Sequence, residues 1–160
     1  MPGNSDFCQM LQIKWWRVLK FDYFIVEEGM GRKVLVIDDD AFCLDVSVEY
    51  LLEKEFNVSS SHTPVCPMIK ADKETCPMTV PCYDFVLSDN QMPHMTGLEF
   101  FTHQQQCGCK IPPHRKALIS GNISNREAED AKKLGCAIFR KPCSLKTLDT
   151  WIDNLSVMEA

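Results

Sequence analysis

Asp89 closes an apolar run, Asp84-Phe85-Val86-Leu87-Ser88, and is followed at once by Asn90-Gln91-Met92-Pro93-His94-Met95-Thr96-Gly97. A carboxylate at the tip of such a strand is placed for chemistry. An earlier apolar run, Val34-Leu35-Val36-Ile37, ends the same way, in three consecutive acids, Asp38, Asp39 and Asp40. If the two strands are parallel neighbours, four carboxylates crowd one edge of a sheet. Adjacent like charges raise each other's pKa and resist joint ionisation unless a cation or donor sits among them. All the nearby ligands are oxygens, with no histidine or cysteine interleaved, so the hard, octahedral Mg²⁺ is favoured over Zn²⁺.

The elements that must position these acids follow from alternation along the chain. From Lys33 onward, strand-like runs alternate with helical patterns, the signature of a βα-repeat with a parallel sheet covered on both faces. The strand candidates are Val34 to Ile37, Asn57 to Ser61, Tyr83 to Ser88, Lys116 to Ser120 and Ala137 to Arg140. Leu44, Val48, Leu51 and Leu52 make a first helical stripe. The fourth helix is announced by its ends: Ser124 and Glu127 form a capping box and Gly135 a stop, with Arg126–Asp130 and Glu129–Lys133 spaced as i, i+4 pairs. Its apolar side is thin, Ala128, Ala131 and Leu134. The last helix has Ser144 as N-cap and Leu145, Leu148, Ile152 and Leu155 along one side. Between Thr63 and Cys82 the chain carries Pro64, Pro67, Pro77 and Pro81, so the second helix is expected to be short, irregular or replaced by a loop.

Two further residues join the acidic edge. The fourth strand ends in Ser120-Gly121 and the fifth in Lys141-Pro142. Parallel strands deliver their tips to one side, where ligands bind at the point at which strand order reverses. Carboxylates hold a metal or attack phosphorus, while a hydroxyl and an ammonium grip the equatorial oxygens: each residue type has a role in phosphoryl transfer.

At this point the chain resembles the response-regulator receiver domain of two-component phosphorelays, over roughly residues 32 to 157. The resemblance rests on four motifs in order: Val34 to Asp40, Asp84 to Glu99 with its Asp89-Asn90-Gln91-Met92-Pro93 turn, Ala117-Leu118-Ile119-Ser120-Gly121, and Lys141-Pro142. It implies a flavodoxin-like doubly wound α/β fold in a single domain, with five parallel strands in the order 2-1-3-4-5. It implies Asp89 as phosphoacceptor and Asp38 and Asp39 as the acidic pair around Mg²⁺, Asp39 directly and Asp38 through water. The backbone carbonyl of Gln91 would complete the protein ligands. Ser120 fills the family's Ser/Thr position and Lys141 its lysine, with a cis Lys141–Pro142 bond. A histidine kinase or histidine phosphotransfer protein would supply the phosphoryl group, and the face of the fourth helix, fifth strand and fifth helix would meet a downstream protein. The resemblance makes the chain a signalling domain with at most slow autodephosphorylation, not an enzyme.

The sequence departs from the family where an aromatic usually stands three residues before the lysine. That position is Ile138, and Phe139 beside it should point to the opposite side of the strand. Cys143, where a bulky apolar residue often follows Lys-Pro, is another departure. Asp40 reads as a helix cap favoured by the macrodipole, and Gly97 as a conformational requirement.

A runner-up of another class is a haloacid-dehalogenase-like phosphohydrolase using Asp38 and Asp40, with Ser120 and Lys141 as later motifs. It wants a threonine or valine where Ala41-Phe42 stand and a later acidic pair, for which only Asp149 and Asp153 are available. It also leaves Asp89 unexplained. A third reading is a receiver-like interaction module that has lost phosphorylation.

The 160 residues suffice for one domain with a real core. With 17 basic and 22 acidic residues, the net charge of −5 argues against a broad phosphate-backbone footprint and so against nucleic acid as a direct partner. No apolar stretch is long enough to span a bilayer and the N-terminus lacks signal-peptide features, so the expected location is cytoplasmic. The chain ends soon after the last helix, so output is expected by protein contact. Residues 30–160 are taken as the receiver domain. Residues 1–29, with Trp15, Trp16, Phe21, Tyr23 and Phe24 among Lys14, Arg17 and Lys20, read as an extension. It would be an accessory helix with Leu11, Trp15 and Val18 or Leu19 on one face, a disordered leader, or a gene-model artefact preceding a start at Met30.

Nine cysteines are many for this length, the number is odd, and no Cys-x-x-Cys pair occurs. Reduced, inert thiols are the plain reading. Cys76, Cys82, Cys107 and Cys109 fall near the sheet edge opposite Asp89 and would suit structural zinc or a redox-sensitive disulfide, although their spacing is not that of a recognised zinc motif. His62, His94, His103 and His114 are scattered and have no partner at ligand spacing.

Overall fold

A computed structural model describes residues 19–21, 24–27, 31–68 and 74–157. The strands are β1 (Leu19–Phe21), β2 (Phe24–Glu27), β3 (Lys33–Ile37), β4 (Asn57–Ser61), β5 (Phe85–Asp89), β6 (Lys116–Ser120) and β7 (Ala137–Arg140). The helices are α1 (Ala41–Glu53), α2 (Gly97–Gln106), α3 (Asn125–Leu134) and α4 (Leu145–Val157). The five strands foreseen from the apolar runs form a parallel sheet, β4-β3-β5-β6-β7, which is the order 2-1-3-4-5 when they are counted among themselves. Beyond that order, β1 and β2 add an antiparallel hairpin to the β4 edge. Leu19, considered for an accessory helix, is in a strand; Leu11, Trp15 and Val18 lie outside the described residues.

Strand alternation divides the core into two layers. Val34, Val36, Val58, Phe85, Leu87 and Ala117 face α1 and α4, where they meet Leu44, Leu51, Leu148, Ile152 and Leu155. Phe85, fully buried, stands edge-on to Phe56 and Trp151 with ring centroids 5.3 and 5.7 Å away. Leu35, Ile37, Val86 and Leu118 face the other way, toward Leu98, Phe100, Phe101 and Ala131 of α2 and α3. Burial on both faces explains why these strands read as unbroken apolar runs.

The helix ends follow local chemistry. Asp40 caps α1 by accepting from the Cys43 amide at 2.8 Å. Thr96 and Glu99 cap α2 reciprocally, a box the sequence reading passed over, and Ser124 and Glu127 cap α3 in the same way. Gly135 closes α3 at φ 89°, where a side chain would be strained. Arg126 stands 4.0 Å from Asp130, but Lys133 reaches Asp130 at 3.0 Å where Glu129 was the expected partner. Ser144 accepts from the Thr147 amide at the start of α4; Leu145 is 47% exposed and does not join the apolar side assigned to it.

Between β4 and β5 the described residues, 62–68 and 74–84, form no helix or strand, so the second helix is absent from them. Among the described residues, no helix is long and apolar enough to cross a membrane.

Candidate functional site at the carboxyl edge of the sheet

The strand register sets the site. Ile37 pairs with Ser88 on the central strands, so Asp38 and Asp89 follow at the same level on neighbouring strands. Ser120 pairs with Arg140 on the next two, so Lys141 rises one residue beyond it. Lys141 bridges the acids, its Nζ 2.5 Å from Asp89 Oδ1 and 3.0 Å from Asp38 Oδ2. Asp38 and Asp89 are each 6% exposed, so a single ammonium offsets only part of the charge of two carboxylates that water solvates poorly.

Other donors fix the carboxylates. The Asp40 amide donates to Asp38 Oδ1 at 3.0 Å and the Gln91 amide donates to Asp89 Oδ2. Burial raises the Asp38 pKa above the ordinary carboxylate value, against the lowering influence of Lys141 and the Asp40 amide. Burial alone would lower the Lys141 pKa, but hydrogen bonds to Asp89 and Asp38 outweigh it and the net shift is upward. The ammonium therefore stays charged while one of its partners resists ionisation.

The remaining members of the sequence-derived set stand differently. Ser120 is fully buried and its hydroxyl donates to the Asn122 carbonyl at 2.9 Å rather than to a carboxylate. Its carbonyl accepts from the Lys141 amide at 2.8 Å, which ties the two strand tips, and the Lys141–Pro142 bond is cis. Asp39 is exposed beside Asp38. Among the described residues, no three His, Cys, Asp or Glu side chains stand together as a ready metal site. The donor set is nonetheless all oxygen, and two buried acids sharing one ammonium already hold a cation between them. That chemistry fits a hard cation, with Asp39 next in the chain.

Asn90 was passed over in the sequence and is the buried support of this edge. Its Oδ1 accepts from the Leu98 amide and its carbonyl from the Gly97 amide, both at 3.1 Å, while its Nδ2 donates to Glu127 Oε1 at 3.1 Å. One amide thus ties the Asp89 turn to the start of α2 and to α3. The available signal was a polar residue after a fully buried strand, where a carboxamide can satisfy several backbone groups. Gly97 has a steric reason: a Cβ there would collide with the Asp89 carbonyl and lie 2.8 Å from Leu118 Cδ2. His94 holds a left-handed φ of 69° in the same turn.

Ile138 packs on the α2/α3 side and Phe139 on the α1/α4 side, edge-on to Trp151 at 5.7 Å. The two residues point opposite ways, as their alternation required. The cysteines considered together do not stay together: the Cys107 thiol turns to His103, 3.6 Å from Nε2.

No family model and no curated protein matches this chain. Solved structures do. The receiver domain of Francisella response regulator 1452 has a TM-score of 0.64 at 19% identity and covers 81% of this chain and 100% of its own. A response regulator receiver domain protein from Clostridium thermocellum gives 0.64 at 23%, over 81% and 97%. The chemotaxis protein CheY4 of Vibrio cholerae gives 0.58 at 23%, over 78% and 98%. The chain has the receiver-domain fold, the CheY-like form of the doubly wound sheet.

Proposed function

We propose that this protein is a phosphoacceptor receiver in two-component signalling, taking a phosphoryl group from phosphohistidine onto Asp89. The observation that carries the reading is the Lys141 ammonium shared between buried Asp38 and Asp89 at the carboxyl edge of the sheet. Asp89 Oδ attacks phosphorus in line; the imidazole N–P bond breaks as the carboxylate O–P bond forms, and the histidine leaves as a neutral ring once protonated. Lys141 then meets the negative charge delivered beside it, and Ser120 exchanges its bond to the Asn122 carbonyl for one to a phosphoryl oxygen. Asp38, Asp39, Asp89 and the Gln91 carbonyl would hold Mg²⁺. The ion supplies charge neutralisation for the phosphoryl oxygens. The product acyl phosphate is read by a downstream protein at the face formed by α3, β7 and α4, without an aromatic at position 138. The donor is a histidine kinase or phosphotransfer protein, and the setting is the cytoplasm.

The phosphohydrolase alternative fares worse. Asp40 is committed to capping α1, and Asp149 is bound to Tyr50 and Lys54 on the α1/α4 side. Incubation with a small phosphodonor and Mg²⁺, followed by intact mass, tests the proposal. Native chain should gain one acid-stable, hydroxylamine-labile phosphoryl group and Asp89→Asn none. Equal labelling of both, or of neither while a phosphate analogue also fails to bind, overturns it.

A further inference from the structure

We infer that Cys66, Cys76, Cys82 and Cys109 form a four-thiolate site for a borderline-soft divalent metal, Zn²⁺ being the fitting ion, which fastens the loop between β4 and β5 to the turn after α2. Nothing in the phosphoryl chemistry uses these groups, and the inference stands apart from it.

The loop needs a fastening. No described residue between Ser61 and Phe85 is in a strand or helix, and loops longer than about 12–15 residues without secondary structure are uncommon in compact domains unless something holds them. Four prolines deny it a continuous helix, so helical backbone hydrogen bonding cannot run through it.

The four cysteines arrive from both sides of that gap. Cys66 and Cys82, at either end of the loop, and Cys109, after α2, all pack against the apolar cluster that contains Tyr83, Phe101 and Ile111. Cys76 is drawn in by its backbone: its amide donates to the Cys107 carbonyl at 2.7 Å, two residues before Cys109. That turn is itself fixed, with the Cys109 amide on the Gln104 carbonyl at 2.9 Å and Gly108 at a φ of 75°. The Cys82 thiol is pushed up to about 11, first by burial and then by the neighbouring thiols of Cys66, Cys109 and Cys76. Packing places Cys66, Cys82 and Cys109 on one apolar cluster, which also includes Cys136, and the backbone bond draws in Cys76. As with crowded carboxylates, ionising such a set requires a cation, and sulfur ligands favour Zn²⁺ over the Mg²⁺ suited to the Asp89 edge.

Three further described thiols have partners away from this cluster. Cys107 turns to His103, Cys136 donates to the Ala131 carbonyl at 3.4 Å, and Cys143 to that of Ser144 at 3.6 Å. The four sulfurs do not stand at ligand spacing as their side chains are placed. Thiol rotation and a shift of the chain around Cys66 and Cys76, where the described residues form no strand or helix, would complete the tetrahedron. The step is Zn²⁺ plus four thiols giving a zinc tetrathiolate and four protons, with no change of oxidation state.

The test uses the full chain purified with reductant and without chelator. The expected result is about one zinc per chain, replaceable by Co²⁺ with strong sulfur-to-cobalt charge-transfer absorption. Cys82→Ser and Cys109→Ser should lose most of the metal, and Cys107→Ser should keep it. Should the serine variants not fold, alkylation mapping of the native chain decides: adding a chelator should expose Cys66, Cys76, Cys82 and Cys109 together and leave Cys107 unchanged. No retained zinc and no cobalt bands, loss of metal from Cys107→Ser equal to that from Cys82→Ser, or disulfides among the four as the form that resists alkylation would each overturn the inference.

Discussion

The two edges of the same sheet gather their reactive groups by different means. At the carboxyl edge, Asp38, Asp89 and Lys141 sit within one residue of a strand end, and the parallel register brings the Lys141 ammonium within 3.0 Å of each carboxylate. At the opposite edge, Cys82 and Cys109 have Cys66 and Cys76 as neighbours from a loop that no register controls, and packing plus one backbone bond brings them toward one another without setting ligand spacing. A strand tip is a rigid mount, so a site built there can be preorganised for charge. A loop is an adjustable one, suited to a group that closes around its ligand.

The broadest challenge to that contrast is to remove the core both edges stand on. Phe85→Ala deletes a fully buried ring packed on Phe56 and Trp151, and should cost about 3–5 kcal/mol in urea unfolding while weakening phosphoryl uptake and thiol protection together. Loss of only one of the two would mean that the edges are held separately.

A narrower cut is Lys141→Ala, which leaves buried Asp38 and Asp89 without their ammonium. Removing one partner of a fully buried pair costs about 3–5 kcal/mol; with Lys141 30% exposed, solvent screening reduces the expectation to about 1–2 kcal/mol. Added Mg²⁺ should raise the melting temperature of this variant more than that of the native chain, with no change in cysteine alkylation. A change in alkylation would couple the edges.

Titration sharpens the carboxyl edge further. The folded-state pKa of Asp38 is raised, so its protonated form contributes stability that is full below the unfolded value of 3.8 and is lost as pH rises through the folded value. Asp38→Asn should therefore gain stability relative to the native chain as pH rises from acid toward neutral, measured by urea midpoints without Mg²⁺. A constant difference across that range would show that burial of Asp38 carries no electrostatic cost.

The smallest effect belongs to neither edge. Asp149 accepts from the Tyr50 hydroxyl and pairs with Lys54 at 3.2 Å, linking α4 to α1, and its pKa is lowered chiefly by the Tyr50 bond. Its contribution is present above the unfolded value of 3.8 and fades as pH falls through the folded one. With Asp149 over a third exposed, Asp149→Asn should cost only about 0.5 kcal/mol, and only on the neutral side.

Much of this was legible before folding. Apolar runs located all five parallel strands, and Ser124, Gly135 and Ser144 marked helix ends, because those signals act over a few residues and need no partner from elsewhere. Asn90 and the Thr96–Glu99 box carried comparable local signals that the strong acidic pattern overshadowed. Leu145 was misread because periodicity reports which side a residue is on, not whether the first turn reaches the core. The Glu129–Lys133 pair failed for a related reason: Lys133 has Asp130 one turn away as a competing partner, and spacing alone does not choose between them.

By itself the sequence determined the period of burial, the strand tips at which acids and the lysine stand, and that no continuous second helix can run through the prolines, since each is written in neighbouring residues. Only the tertiary structure decided that Lys141 lies between Asp38 and Asp89, that a hairpin extends the sheet beyond β4, and that Cys66 rather than Cys107 accompanies Cys76, Cys82 and Cys109. Those are contacts between residues far apart in the chain, chosen by which surfaces can be buried together, and no local pattern records that choice.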